Sequence, residues 1–163
     1  MVDDAHLERI LDRVQEWTRA ADTKAEILGA MQTATAALLA DNVAGWFGPG
    51  TSAFLKVGMV VALGLWLVSL VMTVFAILAV TDNPHQQSVT FFGDVTKWKP
   101  LAEYRAAVDT IEAKSLRNDY IDQIYICSII CGDKHWYIKR AIWLFVFSLL
   151  TMEVTLVLNG FWS

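Results

Sequence analysis

Residues 57–81 read VGMVVALGLWLVSLVMTVFAILAVT, 25 consecutive positions without a charge. As a helix rising ~1.5 Å per residue the run is about 37 Å long, against a hydrocarbon core of about 30 Å. It is long enough to span a bilayer with room to tilt, and it lies too far along the chain to read as a signal peptide. Composition agrees: 55% of the 163 residues are hydrophobic, only 18% are charged, and mean hydropathy is +0.41. A soluble domain carries roughly 25% charged residues.

Two further segments follow the same logic. Residues 141–161 (AIWLFVFSLLTMEVTLVLNGF) are interrupted only by Glu153, with Lys139 and Arg140 before them and Trp162 after, as interfacial anchors stand. Residues 27–47 (ILGAMQTATAALLADNVAGWF) are weaker, rich in alanine and threonine and broken by Asp41. Charge decides in favour of the weak segment. Residues 1–26 carry Arg9, Arg13, Arg19 and Lys24, and residues 82–140 carry Lys97, Lys99, Arg105, Lys114, Arg117, Lys134, Lys139 and Arg140. Residues 47–55 carry none, and Lys56 stands at the mouth of the next span. Basic segments stay in the cytoplasm. Three spans, at 27–47, 57–81 and 141–161, therefore give a cytoplasmic N-terminus, a short Gly-Pro-Gly loop outside and a 59-residue cytoplasmic loop over 82–140. Without the weak span both basic regions cannot be cytoplasmic.

The cytoplasmic parts read as helix. Leu7, Ile10, Leu11, Val14 and Trp17 recur at helical spacing, with Glu8, Arg9, Asp12, Arg13, Glu16 and Arg19 opposite. The mixed charges of that polar face suit protein packing better than an anionic lipid surface. Asp82-Asn83-Pro84 signals a turn, residues 88–95 (SVTFFGDV) lean towards an extended strand, and Leu101, Tyr104, Val108 and Ile111 mark a helix from Pro100. A last helix from about Ser115 carries Leu116, Tyr120, Ile124, Cys127 and Cys131 on one stripe, and Gly132-Asp133 is its candidate kink, which leaves either one continuous helix of about 45 residues through the third span or two segments. The expected fold is an all-α integral membrane protein of three transmembrane helices, with an N-terminal amphipathic helix and a helical cytoplasmic loop containing one short extended segment.

Chemistry-bearing motifs are few. The chain has no Walker loop, no Gly-x-Gly-x-x-Gly, no nucleophile elbow and no His-Glu-x-x-His, so an enzyme is not expected and no cofactor is called for. A net charge of −4 without a basic block argues against nucleic acid. Cys127, Cys131 and His135 share a helical face, but structural zinc takes four ligands and no fourth stands nearby. Small core thiols are the simpler reading. Glu153 is the outstanding side chain, an acid within an apolar span that costs on the order of 3 kcal/mol there. It reads either as a gate or assembly contact, or as an acid bonded to Gln32, Thr35, Ser69 or Thr73 of the other spans.

Three short motifs in order carry a resemblance. Ala21-Asp22-Thr23-Lys24-Ala25 leads from the amphipathic helix into the apolar segment; Phe91-Phe92-Gly93-Asp94-Val95 follows the second span; Gln123-Ile124-Tyr125, with Ser128 and Lys134, precedes the third. On a three-span layout this order resembles the transmembrane effectors of Pycsar, a bacterial anti-phage system. The resemblance implies a partner uridylate or cytidylate cyclase, a cyclic pyrimidine nucleotide (cyclic CMP or cyclic UMP) as activating ligand, and an effector that impairs the inner membrane to abort infection. Membrane lipids and further copies of the chain, as a homo-oligomer, are the other expected partners. Asp22, Lys24, Phe92, Gly93, Asp94, Gln123, Ser128 and Lys134 are the positions carried over. A cyclic nucleotide needs a cation for its phosphate, a stacking surface and a polar group for the base edge. Lys24, Arg105, Lys134 and Arg140 are the candidate cations, Phe91, Phe92 and Tyr125 the candidate stackers, and the Gly93 turn a source of backbone N–H groups; Asp22 and Gln123 complete the candidate ligand set. A ligand-independent, holin-like channel and a structural subunit of a membrane complex remain the alternatives.

Overall fold

The computed structural model describes residues 4–78, 88, 89 and 92–162. Five helices are present among them, and no strand: α1 (Asp4–Trp46), α2 (Ala53–Ile77), α3 (Phe92–Val95), α4 (Leu101–Thr110) and α5 (Ala113–Trp162). By contact the chain forms two compact units. One comprises residues 1–20 and 79–133, the other residues 21–78 and 134–163.

Among the described residues two helices are long and apolar enough to cross a membrane, α2 and the stretch Ser115–Asn159 of α5. The segment 27–47 does not qualify on its own hydropathy. It is instead the second half of α1, a continuous helix of 43 residues. No proline interrupts residues 4–46, so the change from a charged to an apolar composition at Ile27 alters what surrounds the helix without breaking it. α5 is likewise continuous for 50 residues, and Gly132 does not end it.

α2 starts at Ala53, four residues before the charge-free run, because Ser52 caps it. The Leu55 N–H donates to the Ser52 hydroxyl at 3.2 Å, and Lys56 falls inside the first turn. The expected extended run over residues 88–95 is corrected: Phe92–Val95 is a single helical turn. The cause is local. The Asp94 carboxylate accepts the Ser88 backbone N–H at 3.1 Å, so this N–H is not offered to a neighbouring strand.

The membrane-length unit is held by heptad-like seams. α2 buries Leu55, Met59, Ala62, Ser69, Thr73 and Ala76, spaced by threes, fours and one step of seven. α1 buries Ala21, Ala25, Leu28 and Gln32, and α5 buries Lys134, Ile138, Ala141, Phe145, Ser148 and Thr155 at the same rhythm. Small and hydroxylic side chains dominate these seams, as they do where helices approach closely in lipid. Ser69 donates to the Ala141 carbonyl at 2.7 Å and Ser148 to the Ala62 carbonyl at 2.7 Å, joining α2 to α5. Gln32 Nε2 donates to the Ser69 hydroxyl at 2.7 Å, which brings α1 into the same set. A Cβ built on Gly58 would overlap the Thr155 side chain, so only glycine permits that approach.

In the other unit the first turns of α1 meet the first half of α5. Arg117 donates to Asp4 at 3.2 Å and the Tyr120 hydroxyl to Glu8 at 3.5 Å. Leu7 and Val14 are buried, Ile10 and Leu11 half-buried. Trp17, expected on the same stripe, is exposed: the seven-residue spacing of Leu7, Val14, Ala21 and Leu28 carries the seam through Ala21 and leaves Trp17 to one side. Pro100 stands as the N-cap of α4 and not within its first turn, and Leu101 and Val108 are exposed.

Candidate functional site

Two polar constellations are assembled from the residues singled out in the sequence, one in each unit. The first is built around Asp94. Its carboxylate, 3% exposed as a residue, accepts from the Ser88 N–H and from Lys97 Nζ, the latter at 2.8 Å. Gln123 of α5, also buried, donates through Nε2 to the Ser88 hydroxyl at 3.3 Å. Two of the three sequence motifs, Phe92-Gly93-Asp94 and Gln123, thus converge on one loop 35 residues from Gln123 in sequence. Tyr104 of α4 closes the loop from the other side, donating to the Val89 carbonyl at 3.0 Å. Its ring meets the Trp98 indole at a centroid distance of 6.4 Å. The Trp98 Nε1 is buried and has no acceptor among the described residues. A buried indole N–H without an acceptor is uncommon and needs an explanation.

The second constellation joins α1 to α5. Lys134 Nζ donates to the Asp22 carboxylate, with the lysine side chain 9% exposed and the aspartate 39%. Two residues assigned by separate motifs therefore form one ion pair. Around it lie Ala21, Ala25, Ala76 and Ile138, with Tyr137 packed against them and stacked obliquely on Phe75 at 5.8 Å. The Arg140 guanidinium sits 3.8 Å over the Trp136 ring, so this candidate cation is held by an aromatic face.

The remaining expected residues stand apart. Lys24 is exposed on α1 and does not join Asp22; Arg105 is exposed on α4; Tyr125 is exposed on α5. Ser128 turns back to donate to the Ile124 carbonyl at 2.6 Å. Phe91 lies outside the described residues; Phe92 and Gly93 contribute their backbone to α3. Glu153 is exposed rather than bonded to Gln32, Thr35, Ser69 or Thr73. Those partners are taken: Gln32 and Ser69 bond one another, and the Thr35 and Thr73 hydroxyls donate to the carbonyls of Met31 and Ser69 one turn back. Trp98 is the residue that sequence reasoning passed over. Its signal was an aromatic side chain set between two cations in Lys97-Trp98-Lys99.

Cys127 and Cys131 are both thiols, half-buried and buried. Burial pushes the Cys127 thiol above its ordinary range, the reverse of what an activated nucleophile or thiolate ligand requires. Burial, followed by the neighbouring Glu8 carboxylate, likewise raises the Tyr120 phenol.

The family model described as the Pycsar effector protein domain matches residues 6–159, nearly the whole chain and both constellations. The chain belongs to the Pycsar effector family. No curated protein and no solved structure matches it. Membership places it in antiviral defence, and with two apolar helices of membrane length it is a membrane protein. For a Pycsar effector a partner cyclase and a cyclic nucleotide are implied in general terms.

Proposed function

We propose that this Pycsar effector senses a cyclic pyrimidine nucleotide, cyclic CMP or cyclic UMP, made by its partner cyclase after infection, and responds by impairing the inner membrane so that infection aborts. The observation that carries the reading is the family match across residues 6–159 on a chain with two membrane-length helices. The chain acts as a receptor and not as an enzyme. Its layout is three spans with the N-terminus in the cytoplasm. In support, Leu28 and Gln32 of α1 pack and bond with α2 and α5 along the membrane-length segments, so the weak segment lies alongside two strong ones.

The nucleotide site is proposed at the Asp94 loop. There Asp94 holds the Ser88 backbone and Gln123 the Ser88 hydroxyl, Trp98 and Tyr104 supply aromatic faces and an indole N–H with no acceptor among the described residues, and Arg105 of α4 supplies a solvent-facing cation for the phosphate. A monoanionic phosphate diester and a flat base call for that combination of groups. Titrating the purified full chain with cyclic CMP, cyclic UMP, cyclic AMP and cyclic GMP tests the reading. Saturable binding of one pyrimidine nucleotide, lost in Arg105→Ala, is expected. Toxicity on expression that is the same with an active and an inactive cyclase overturns it in favour of a ligand-independent, holin-like channel.

A further inference from the structure

The polar side chains at the Asp94 loop are spent on one another or on the backbone. Both Asp94 carboxylate oxygens are engaged, Oδ2 by the Ser88 N–H and Oδ1 by Lys97 Nζ. Gln123 Nε2 donates to the Ser88 hydroxyl, and the Tyr104 hydroxyl to the Val89 carbonyl. The Trp98 indole is the exception: its Nε1 is shut off from water and meets no acceptor among the described residues. Native structures keep few such groups, because an unmet donor is costly where water cannot reach it. An indole N–H can only donate. It therefore calls for an acceptor on whatever enters the loop.

The surroundings give that donor a direction. Arg105 is exposed on α4, whereas the Trp98 Nε1 is buried. A cyclic nucleotide with its phosphate on Arg105 keeps its ribose outward, so the base enters with the edge farthest from the ribose leading. In a pyrimidine that leading edge carries the 4-substituent. The Trp98 and Tyr104 rings are inclined at 53°, so a base lying on the Tyr104 face meets the indole towards its edge, where the N–H projects. α4 buries none of its residues, so it yields to an entering base at little cost. At position 4 uracil, like thymine, presents a carbonyl acceptor, and cytosine presents an amino donor. The indole N–H bonds the carbonyl; before the amino group donor faces donor.

We infer that the Asp94 loop selects uracil over cytosine, and so cyclic UMP over cyclic CMP, through the Trp98 N–H donated to the 4-carbonyl of the base. The inference rests on the nucleotide site proposed above and goes beyond it by naming the base and the group that reads it. Trp98 is then the specificity-determining residue. Arg105 holds either nucleotide alike, through the phosphate that both carry.

Titration of the purified full chain with each nucleotide tests this. The parent chain is expected to bind cyclic UMP about tenfold more tightly than cyclic CMP. Trp98→Phe keeps an aromatic ring and removes the donor. It is expected to weaken cyclic UMP by about the same factor and to leave cyclic CMP within about twofold of the parent. Equal losses for both nucleotides show a merely structural tryptophan and overturn the inference. A ligand-side probe needs no variant: cyclic 4-thio-UMP, whose sulfur accepts hydrogen bonds weakly, is expected to bind the parent chain more weakly than cyclic UMP. Equal binding of those two also overturns the inference. Saturable binding with no preference for cyclic UMP, or with a preference for cyclic CMP, overturns the inference alone. Absence of saturable binding by either pyrimidine nucleotide overturns the proposed function and the inference with it.

Discussion

Lys134 and Asp22, 112 residues apart, form a single ion pair between α5 and α1, with the lysine almost wholly buried and the aspartate two-fifths exposed. Removing the acid leaves a buried ammonium without a counter-charge, a loss of about 3–5 kcal/mol when both groups are fully buried. The exposure of Asp22 admits water, so Asp22→Ala is expected to cost about 1–3 kcal/mol. Lys134→Met leaves only a half-exposed carboxylate and keeps the packed stem, so it is expected to be milder. Thermal unfolding in detergent measures both. A loss for Lys134→Met equal to that for Asp22→Ala overturns this account of the pair.

Gly58 sets how closely α2 approaches α5. Because an added Cβ overlaps the Thr155 side chain, Gly58→Ala forces either a rotamer change at Thr155 or a shift of the helices. Overpacking of this kind costs typically about 1–3 kcal/mol. Gly58→Ala is therefore expected to lower the thermal stability of the purified protein, and Gly58→Ala combined with Thr155→Ala to recover most of it. Gly64→Ala, where an added Cβ meets nothing within 4 Å, is the matched control and is expected to be neutral or slightly stabilising.

Which of these features the sequence announces follows from their range. The charge-free run gave α2 directly, but its hydropathy is uniform, so the buried seam is marked by Ala62, Ser69, Thr73 and Ala76 being small or hydroxylic. The start of α2 lay in a capping serine outside the apolar run. Hydropathy divides α1 at Ile27 although the backbone has no reason to stop there, which is why one 43-residue helix reads as two segments. Asp22, Lys134, Asp94 and Gln123 were legible as residues of interest from the family-like motifs. Their partners were not, because a bond between α1 and α5 leaves no trace in local spacing. The Phe92–Val95 turn misled for a local reason: aromatic and β-branched residues suggest a strand, while a single aspartate capturing a backbone N–H decides otherwise.

The Cys127 thiol, its pKa raised by burial, holds its proton to higher pH than an exposed thiol does. Alkylation proceeds through the thiolate, so at mildly alkaline pH the Cys127 reaction is expected to be slower than in the denatured chain and to rise only at higher pH. Mass spectrometry of iodoacetamide-treated protein, native and denatured, reads the difference site by site. Native labelling of Cys127 as fast as in denaturant contradicts the burial that raises its pKa.

α5 runs unbroken through Gly132. Gly132 lies within α5, and an added Cβ there meets nothing within 4 Å. Its glycine therefore carries the ordinary helix-interior penalty without a packing need, and Gly132→Ala is expected to gain up to about 1 kcal/mol. Proline at the same position removes a backbone donor, clashes with the preceding turn and costs about 3 kcal/mol. If an unbroken α5 is needed to couple nucleotide binding to membrane damage, Gly132→Pro binds cyclic nucleotide and inserts into membranes but no longer depolarises cells when the cyclase is active, whereas Gly132→Ala depolarises as the parent does. Circular dichroism and nucleotide titration of the purified variant confirm that it is folded and competent to bind. Normal depolarisation by a folded Gly132→Pro variant would show that the continuity of α5 carries no signal.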